Sequence, residues 1–225
     1  ISFEVGAGGI LGFLGPNGAG KSTMMKIITG FIPASSGIVR VNGLDTETSN
    51  IEIKKKIGYL PENNPLYPEM YVREYLQFAA SLYKTDLPVR EQIDNIIKIT
   101  GLQPEQKKKI GSLSKGYRQR VGLAQALIHN PDVLILDEAT TGLDPNQIVE
   151  IRNLIRDAGQ EKTVMLSTHI MQEVEAICGR VIIIDKGVIV ADEQKSDIYS
   201  KISRARQTIL VEFDRDADEA LLRAI

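Results

Sequence analysis

Cysteine is nearly missing from this chain: Cys178 is the only one in 225 residues. That excludes an intrachain disulfide and fits a reducing compartment. In "EAICGRV" the thiol reads as a small buried hydrophobe with no chemistry of its own. Long apolar runs are also missing. None reaches the roughly 18–20 residues that a membrane-crossing helix needs, and no signal peptide is visible. Charge of one sign is not in excess, with 27 basic against 29 acidic residues and a net charge of −2. That balance argues against a dedicated nucleic-acid surface. The lysine runs Lys54–Lys56 and Lys107–Lys109 read as solvated faces near helix ends. Internal repeats and low-complexity tracts are absent as well.

Apolar residues make up 43% of the chain, enough for one large domain or two lobes sharing a core. Short apolar strands alternate with helical patterns, which predicts an α/β fold with a largely parallel sheet. "GILGFLG", "GIVRVNG" and "KIGYLP" read as strands, and Lys21–Phe31 reads as a helix. "DVLILDE", "TVMLSTH" and "RVIIIDK" are nearly all apolar, as expected of central strands covered on both faces. Between Pro65 and Asn130 no strand signal interrupts. Val72, Tyr75, Leu76, Ala79 and Leu82 repeat at helical spacing. So do Val89, Ile93, Ile96 and Ile97, with Gly101 placed to stop that helix. A third helix follows Ser114. The expected layout is a core over 1–62 and 131–202, with a helical insert over 63–130. The chain opens on "ISFEV", alternating like a strand and without an initiator Met, so a preceding segment is expected. "QTILVEFDRDADEALLRAI" reads as a strand and a helix start, the beginning of a further extension over 203–225.

"GPNGAGKST", Gly15 to Thr23, carries Gly15, Gly20, Lys21 and Ser22 in the P-loop spacing. Glycines let backbone N–H groups turn toward phosphate oxygens, and the helix that follows aims its N-terminus at the same anion. Lys21 adds a point charge at the outer phosphates. Ser22 offers a hydroxyl to Mg²⁺, and Thr23 serves an inner phosphate. A metal-holding carboxylate should end a buried strand, and "VLILDE" supplies Asp137. The adjacent Glu138 is placed to act as general base. Two neighbouring carboxylates repel each other unless a cation sits between them, which makes Mg²⁺ part of the reading. His169 ends "TVMLSTH", in reach of a terminal phosphate and of the base. His129, in "LIHNPD", reads as complementing a helix C-terminus. "LSKGYRQRVGLAQAL", from Leu113, looks like a second helix start built to hold an anion: Ser114 can cap it and Gly116 permits close approach.

Taken in order, these segments resemble the nucleotide-binding domain of ABC transporters over nearly the whole chain. The matching segments are "GPNGAGKST" as Walker A (Gly15, Pro16, Asn17, Gly18, Ala19, Gly20, Lys21, Ser22, Thr23), "GYLPE" at the Q-loop, "LSKGY" as the signature, "VLILDE" as Walker B, "GLD" at Gly142–Asp144 as the D-loop, and "STH" as the switch histidine. The pattern is most similar to bacterial ABC-2-type exporter ATPases, including those associated with gliding motility. The resemblance implies a P-loop NTPase, RecA-like core with an inserted helical subdomain, and MgATP as the cofactor-substrate. It also implies a homodimer arranged head to tail, in which Ser114, Lys115, Gly116 and Tyr117 cover ATP held by the other copy. Permease partners, no nucleic acid, and a peripheral place on the cytoplasmic face of the cell membrane are implied with it. The segment after Glu62, from Asn63 to Tyr83, is expected to meet the membrane partner.

The sequence departs from the family pattern at Lys115, where a second Gly is usual, and at Tyr117, where Gln is common. It also departs at Ala139 and at Glu62, where a Gln usually contacts the metal or the attacking water. A glutamate still ligates Mg²⁺ but adds negative charge near the γ-phosphate. The family carries an aromatic residue that stacks on adenine ahead of the first strand, a region that this sequence does not include. Two other readings compete: an ABC-type ATPase of DNA repair or translation, and a nucleotide-gated module whose turnover Glu62 and Tyr117 have disabled. The short stretch between Glu62 and Ser114 leaves no room for the long coiled coil of repair relatives.

Overall fold

Six apolar residues, Gly9–Leu14, form β1, the strand on which the rest of the sheet is organised. The computed structural model describes residues 1–83 and 87–197. Within it Ile1–Lys195 is one compact unit. The extension expected over 203–225 lies outside the described residues.

After β1 come helix α1 (Lys21–Ile28), strands β2 (Arg40–Val41) and β3 (Leu44–Asp45), helix α2 (Asn50–Lys56) and strand β4 (Ile57–Leu60). Three helices then run without an intervening strand: α3 (Val72–Ser81), α4 (Val89–Ile99) and α5 (Lys115–Leu127). Strand β5 (Val133–Asp137), helix α6 (Pro145–Glu161), strand β6 (Thr163–Thr168), helix α7 (Met171–Ile177) and strands β7 (Arg180–Asp185) and β8 (Val188–Gln194) complete the unit. The main sheet has six strands in the order β4-β5-β6-β1-β7-β8. All neighbours pair in parallel except β7 and β8. Every residue of β5 is buried, as two covered faces require.

Several sequence expectations change. "GIVRVNG" is not a core strand. Only Arg40–Val41 pairs, with Leu44–Asp45, in a separate two-stranded hairpin. Its turn is Asn42–Gly43, both at positive φ (50° and 78°), the geometry that an Asn-Gly pair favours. Helix α1 stops at Ile28 rather than Phe31. Gly30 turns left-handed (φ 65°), and the Gly30 and Phe31 amides bond back to Ile27 and Lys26 in a Schellman stop. The opening "ISFEV" carries no ladder pairing. Its alternation is nevertheless used, because Phe3 and Val5 pack against the core, Phe3 with its ring 5.8 Å from that of Phe13. Strand β8 is reached through a tight Lys186–Gly187 turn, and its residues alternate between exposed and half-buried.

His129 also differs from expectation. It is buried, its ring stacked on Tyr83 at 3.9 Å, with Nε2 3.2 Å from the Ile57 carbonyl. Burial pushes its pKa down to about 4, with Lys162 lowering it further and the Ile57 carbonyl opposing. It is therefore a neutral pin between α5 and β4, not a cation on a helix dipole. Among the described residues no helix is long and apolar enough to cross a membrane.

Candidate functional site

Parallel pairing decides where the sequence-predicted residues meet. Strands β5, β6 and β1 are neighbours, and the register sets Asp137 opposite Ser167 and Leu14 opposite Thr168. The loop after each strand therefore leaves from the same carboxyl edge, where open parallel sheets bind ligands. Gly15–Gly20 follow β1, Glu138 follows β5, and His169 follows β6.

The P-loop is held by its own first residue. A Cβ at Gly15 would collide with the Ile184 carbonyl oxygen, so the loop can lie on β7 only with glycine there. Gly20 serves differently, turning left-handed (φ 104°) to start α1 without a side-chain cap. The first amides of α1 thus have no side-chain acceptor at the cap, which suits an anion. Lys21 is 6% exposed. Its Nζ donates to the Gly15 carbonyl (2.9 Å) and the Pro16 carbonyl (3.2 Å), and lies 3.3 Å from Glu138 Oε1.

Glu138 is 8% exposed and takes a left-handed backbone (φ 52°), a conformation that costs a non-glycine residue about 1–3 kcal/mol and clusters at functional sites. Its amide bonds the Ser167 carbonyl at 3.2 Å. Its Oε2 accepts from Thr141 Oγ1 and lies 2.9 Å from His169 Nδ1. Asp137 is 1% exposed and accepts from Ser167 Oγ. Across the β4–β5 pair, Tyr59 has its pKa raised to about 12, by burial first and by the Asp137 charge second.

Two adjoining cavities serve this edge. One of about 400 Å³ is lined by Asn17, Gly18, Gly20, Lys21, Ser22, Thr23, Glu62 and Glu138. Glu62 thus faces the same space as the P-loop. The other, about 520 Å³, is lined by Ser22, Tyr59, Glu62 and Asp137 together with Phe31, Tyr67, Tyr75, Phe78 and Leu82. No group of three or more His, Cys, Asp or Glu among the described residues makes a self-sufficient metal site. A cation here would draw on Asp137, the Ser22 hydroxyl and Glu62, hard oxygen ligands of the kind Mg²⁺ takes together with phosphate oxygens.

The signature residues stand apart, since none of Ser114, Lys115, Gly116 or Tyr117 lines either cavity. Ser114 Oγ caps α5 by accepting from the Tyr117 amide at 3.3 Å. Tyr117 lies beneath the Arg120 guanidinium, 5.8 Å from ring centroid to Cζ. Gly116 and Gly142 give close approach, a Cβ on the first meeting the Gln147 side chain and one on the second meeting Lys115 Nζ. Asp144 caps α6, accepting from the Gln147 amide at 3.0 Å, with Pro145 at the first helical position. Within one chain the signature and the D-loop therefore pack on each other and not on the P-loop. Ser167, Thr141 and Glu173 are the polar residues that sequence reasoning missed. Their only signal was position, two of them beside motif residues and the third four residues after His169.

Sheet order, the glycine loop after β1 and the carboxylates after β5 are those of a P-loop nucleotide-binding fold. The ABC transporter family profile matches residues 1–141. The chain is 38% identical over 202 residues to the ABC transporter ATP-binding protein NatA of Bacillus subtilis, covering 88% of this chain and 82% of that one. It is 36% identical to the linearmycin resistance ATP-binding protein LnrL of the same species, over 100% of this chain and 72% of that one. Against the bacitracin transport ATP-binding protein BcrA of Bacillus licheniformis it is 38% identical, over 85% of this chain but only 63% of that one. Among solved structures, cbiO1 from Clostridium perfringens, part of the ABC transporter complex cbiONQ, superposes with TM-score 0.80 at 28% identity, covering 90% and 83% of the two chains. The ATP-binding cassette MJ0796, in a dimeric post-hydrolysis state bound to ADP and Pi, gives 0.78 at 25% identity, covering 85% and 88%. The chain belongs to the ABC transporter family, among its ATP-binding proteins.

Proposed function

We propose that this chain is the ATP-hydrolysing subunit of a membrane exporter, working as a head-to-tail dimer on the cytoplasmic face of the membrane. One observation carries the reading: Lys21, Glu138 and His169, from three separate loops, meet within hydrogen-bonding or ion-pairing distance at one edge of the sheet. Lys21 and the amides of α1 bind the outer phosphates. Glu138, held by Thr141 and beside His169, accepts the proton of the attacking water. His169 keeps the base oriented through Nδ1 and leaves Nε2 for a phosphate oxygen. Ser22 and Asp137, with Glu62 facing the same space, would hold Mg²⁺, which neutralises charge on the phosphates. Ser114–Tyr117 are turned to the nucleotide of a second copy, in keeping with their distance from the cavities of their own chain. The non-hydrolysing reading has Glu62 beside the P-loop in its favour, but the meeting of Lys21, Glu138 and His169 weighs against it; the repair and translation readings have no feature of the site in their favour.

The larger cavity is the proposed seat of a cytoplasmic helix of the membrane subunit. Phe31, Tyr67, Phe78 and Leu82 are 70%, 52%, 43% and 67% exposed. Tyr67 makes edge contacts with Tyr75 and Phe78 at 5.9 and 6.0 Å. These apolar residues line the same cavity as Glu62 and Asp137.

The test pairs two substitutions. Lys21→Ala weakens ATP binding. Glu138→Gln keeps binding, lowers phosphate release by roughly 10²–10⁴-fold, the usual weight of a general base, and accumulates an ATP-bound dimer in gel filtration. Unaltered hydrolysis by the Glu138→Gln protein overturns the base assignment.

A further inference from the structure

Strand pairing between β5 and β6 ends at Asp137 and Ser167. The two segments that matter for catalysis, Glu138 onward and His169 onward, lie just beyond the last rung. Besides the Glu138 amide bond to the Ser167 carbonyl and the His169–Glu138 contact itself, one buried side chain bridges them. Glu173, on the first turn of α7, is 2% exposed. One of its carboxylate oxygens accepts from the hydroxyl of Thr140, two residues after Glu138, and the other from the hydroxyl of Thr168, immediately before His169. Both threonines are buried, at 3% and 0% exposure. Thr168 is itself a junction: its hydroxyl accepts from the Ile170 amide at 3.1 Å, and its carbonyl accepts from the Gly15 amide at 3.3 Å.

Helix α7 gives this carboxylate a fixed base. Val174 and Cys178 press against β1 at Gly12, where an added Cβ would lie 3.0 Å from Cys178 Sγ and 3.2 Å from Val174. The helix already sits as close to the sheet as its side chains allow. Among the described residues Glu173 has no cationic partner within ion-pair distance. A buried carboxylate served only by hydroxyls is a poor source of stability, because its desolvation is not offset by an opposite charge. Its effect is geometric.

We propose that Glu173 is a positioning residue for ATP hydrolysis, a clamp that continues the β5–β6 tie past the end of the ladder and sets the 2.9 Å approach of His169 to Glu138. The inference rests on the assignment of Glu138 and His169 to ATP hydrolysis. The clamp touches neither phosphate nor water, so losing it misplaces the base without removing any group that binds nucleotide.

Steady-state ATP hydrolysis by the full chain tests this, with Glu173→Gln, Thr140→Val, Thr168→Val and the Glu173→Gln/Thr140→Val pair measured well below their melting temperatures. Each single variant is expected to lower kcat by about 10–100-fold, the scale of a small misplacement of reacting groups, with KM for ATP within about threefold. The pair should lose little more than Glu173→Gln alone, because both break the same clamp. Wild-type kcat in folded Glu173→Gln, or losses that multiply in the pair, overturns the proposal. Glu138→Gln is the reference. If it is inactive while Glu173→Gln is fully active, only the clamp fails; if it keeps wild-type turnover, the clamp falls with the base assignment.

Discussion

Adding one methyl group at Gly15 separates two reasons for a glycine in a phosphate loop. Its Cβ would fall inside van der Waals contact with the Ile184 carbonyl oxygen, and would lie 3.0 Å from Ile184 Cγ2 and 3.2 Å from Ala19 Cβ. Real Cβ atoms essentially never come closer than 3.0 Å to another heavy atom, and relaxed carbon pairs sit at about 3.5–4.0 Å, so to clear the Ile184 carbonyl oxygen the loop must lift from β7 by roughly an ångström. Neither neighbour can yield cheaply, since one is backbone in a paired strand and the other is part of the same tight loop. Overpacking of this kind costs about 1–3 kcal/mol. Lifting the loop also stretches the Gly15 amide bond to Thr168 (3.3 Å) and the Lys21 bond to the Gly15 carbonyl (2.9 Å), each with a net value of about 1 kcal/mol. Reduced freedom of the unfolded chain returns about 0.4–1 kcal/mol. The net expectation for Gly15→Ala is a loss of about 2 kcal/mol, or about 4–8 °C in melting temperature for a chain of this size. The same shift moves Lys21, so ATP turnover should fall by about 10–100-fold. Gly179→Ala is the control: nothing lies within 4 Å of its Cβ, and both readouts should stay at wild type. A Gly15→Ala protein with unchanged melting temperature and turnover would refute the close-packing account.

Other perturbations follow from the same geometry. Asp144→Ala removes the cap of α6 and should cost about 1 kcal/mol in urea unfolding, whereas Asp144→Asn should cost much less. His129 has a folded-state pKa near 4 against about 6.5 unfolded, so between those values the unfolded chain binds the extra proton. Stability should therefore fall by up to about 3 kcal/mol as pH drops through that window, and His129→Gln should flatten that part of the curve; an identical pH dependence in both proteins would exclude His129 as the cause. Phe78→Asp should leave ATP turnover of the isolated chain intact and abolish its co-purification with the membrane subunit, because Phe78 is among the apolar residues that line the larger cavity.

The residues that meet at the carboxyl edge of the sheet were legible because the chemistry expected of them constrains near neighbours in the sequence. A glycine loop needs its lysine one residue after the last glycine, and a Walker B acid must end an apolar strand. The order of the strands was not legible. β1 lies between β6 and β7, more than a hundred residues away, and no local pattern records such a pairing. The residues that steady the site depend on that order. Ser167 reaches Asp137 only because the register sets them opposite each other, and Glu173 reaches Thr140 only because α7 returns beneath β1. The missed hairpins have a local cause. In β2–β3 the Asn-Gly turn was present in the sequence, but the apolar run before it suggested a longer core strand. In β7–β8 the turn is Lys-Gly, and the edge strand alternates between exposed and half-buried residues. The mistaken charge on His129 came from reading a helix end without the Tyr83 ring and the Ile57 carbonyl that surround it.

Charge limits what the smaller cavity can hold unaided. Lys21 is the only cationic residue among those lining it, against Glu62 and Glu138. That lysine is already shared between Glu138 and two carbonyls. A triphosphate brings several further negative charges to within a few ångströms of these carboxylates. At an effective dielectric of about 20, a like-charge pair at 4 Å costs about 4 kcal/mol, a scale that applies to the buried Glu138, whereas solvent screens the exposed Glu62 and makes its share smaller. One ammonium cannot cancel this, and the amides at the start of α1 supply about half a charge more. Under the proposed function the remaining deficit would have two sources of relief. One is a divalent cation on the hard oxygens of Ser22 and Asp137. The other is the positive end of a second chain's α5, capped by Ser114 and carrying Lys115. On this accounting the glutamate at position 62 raises the demand for both. A Glu62→Gln chain should therefore bind ATP more tightly at low magnesium, and the difference should shrink as magnesium saturates.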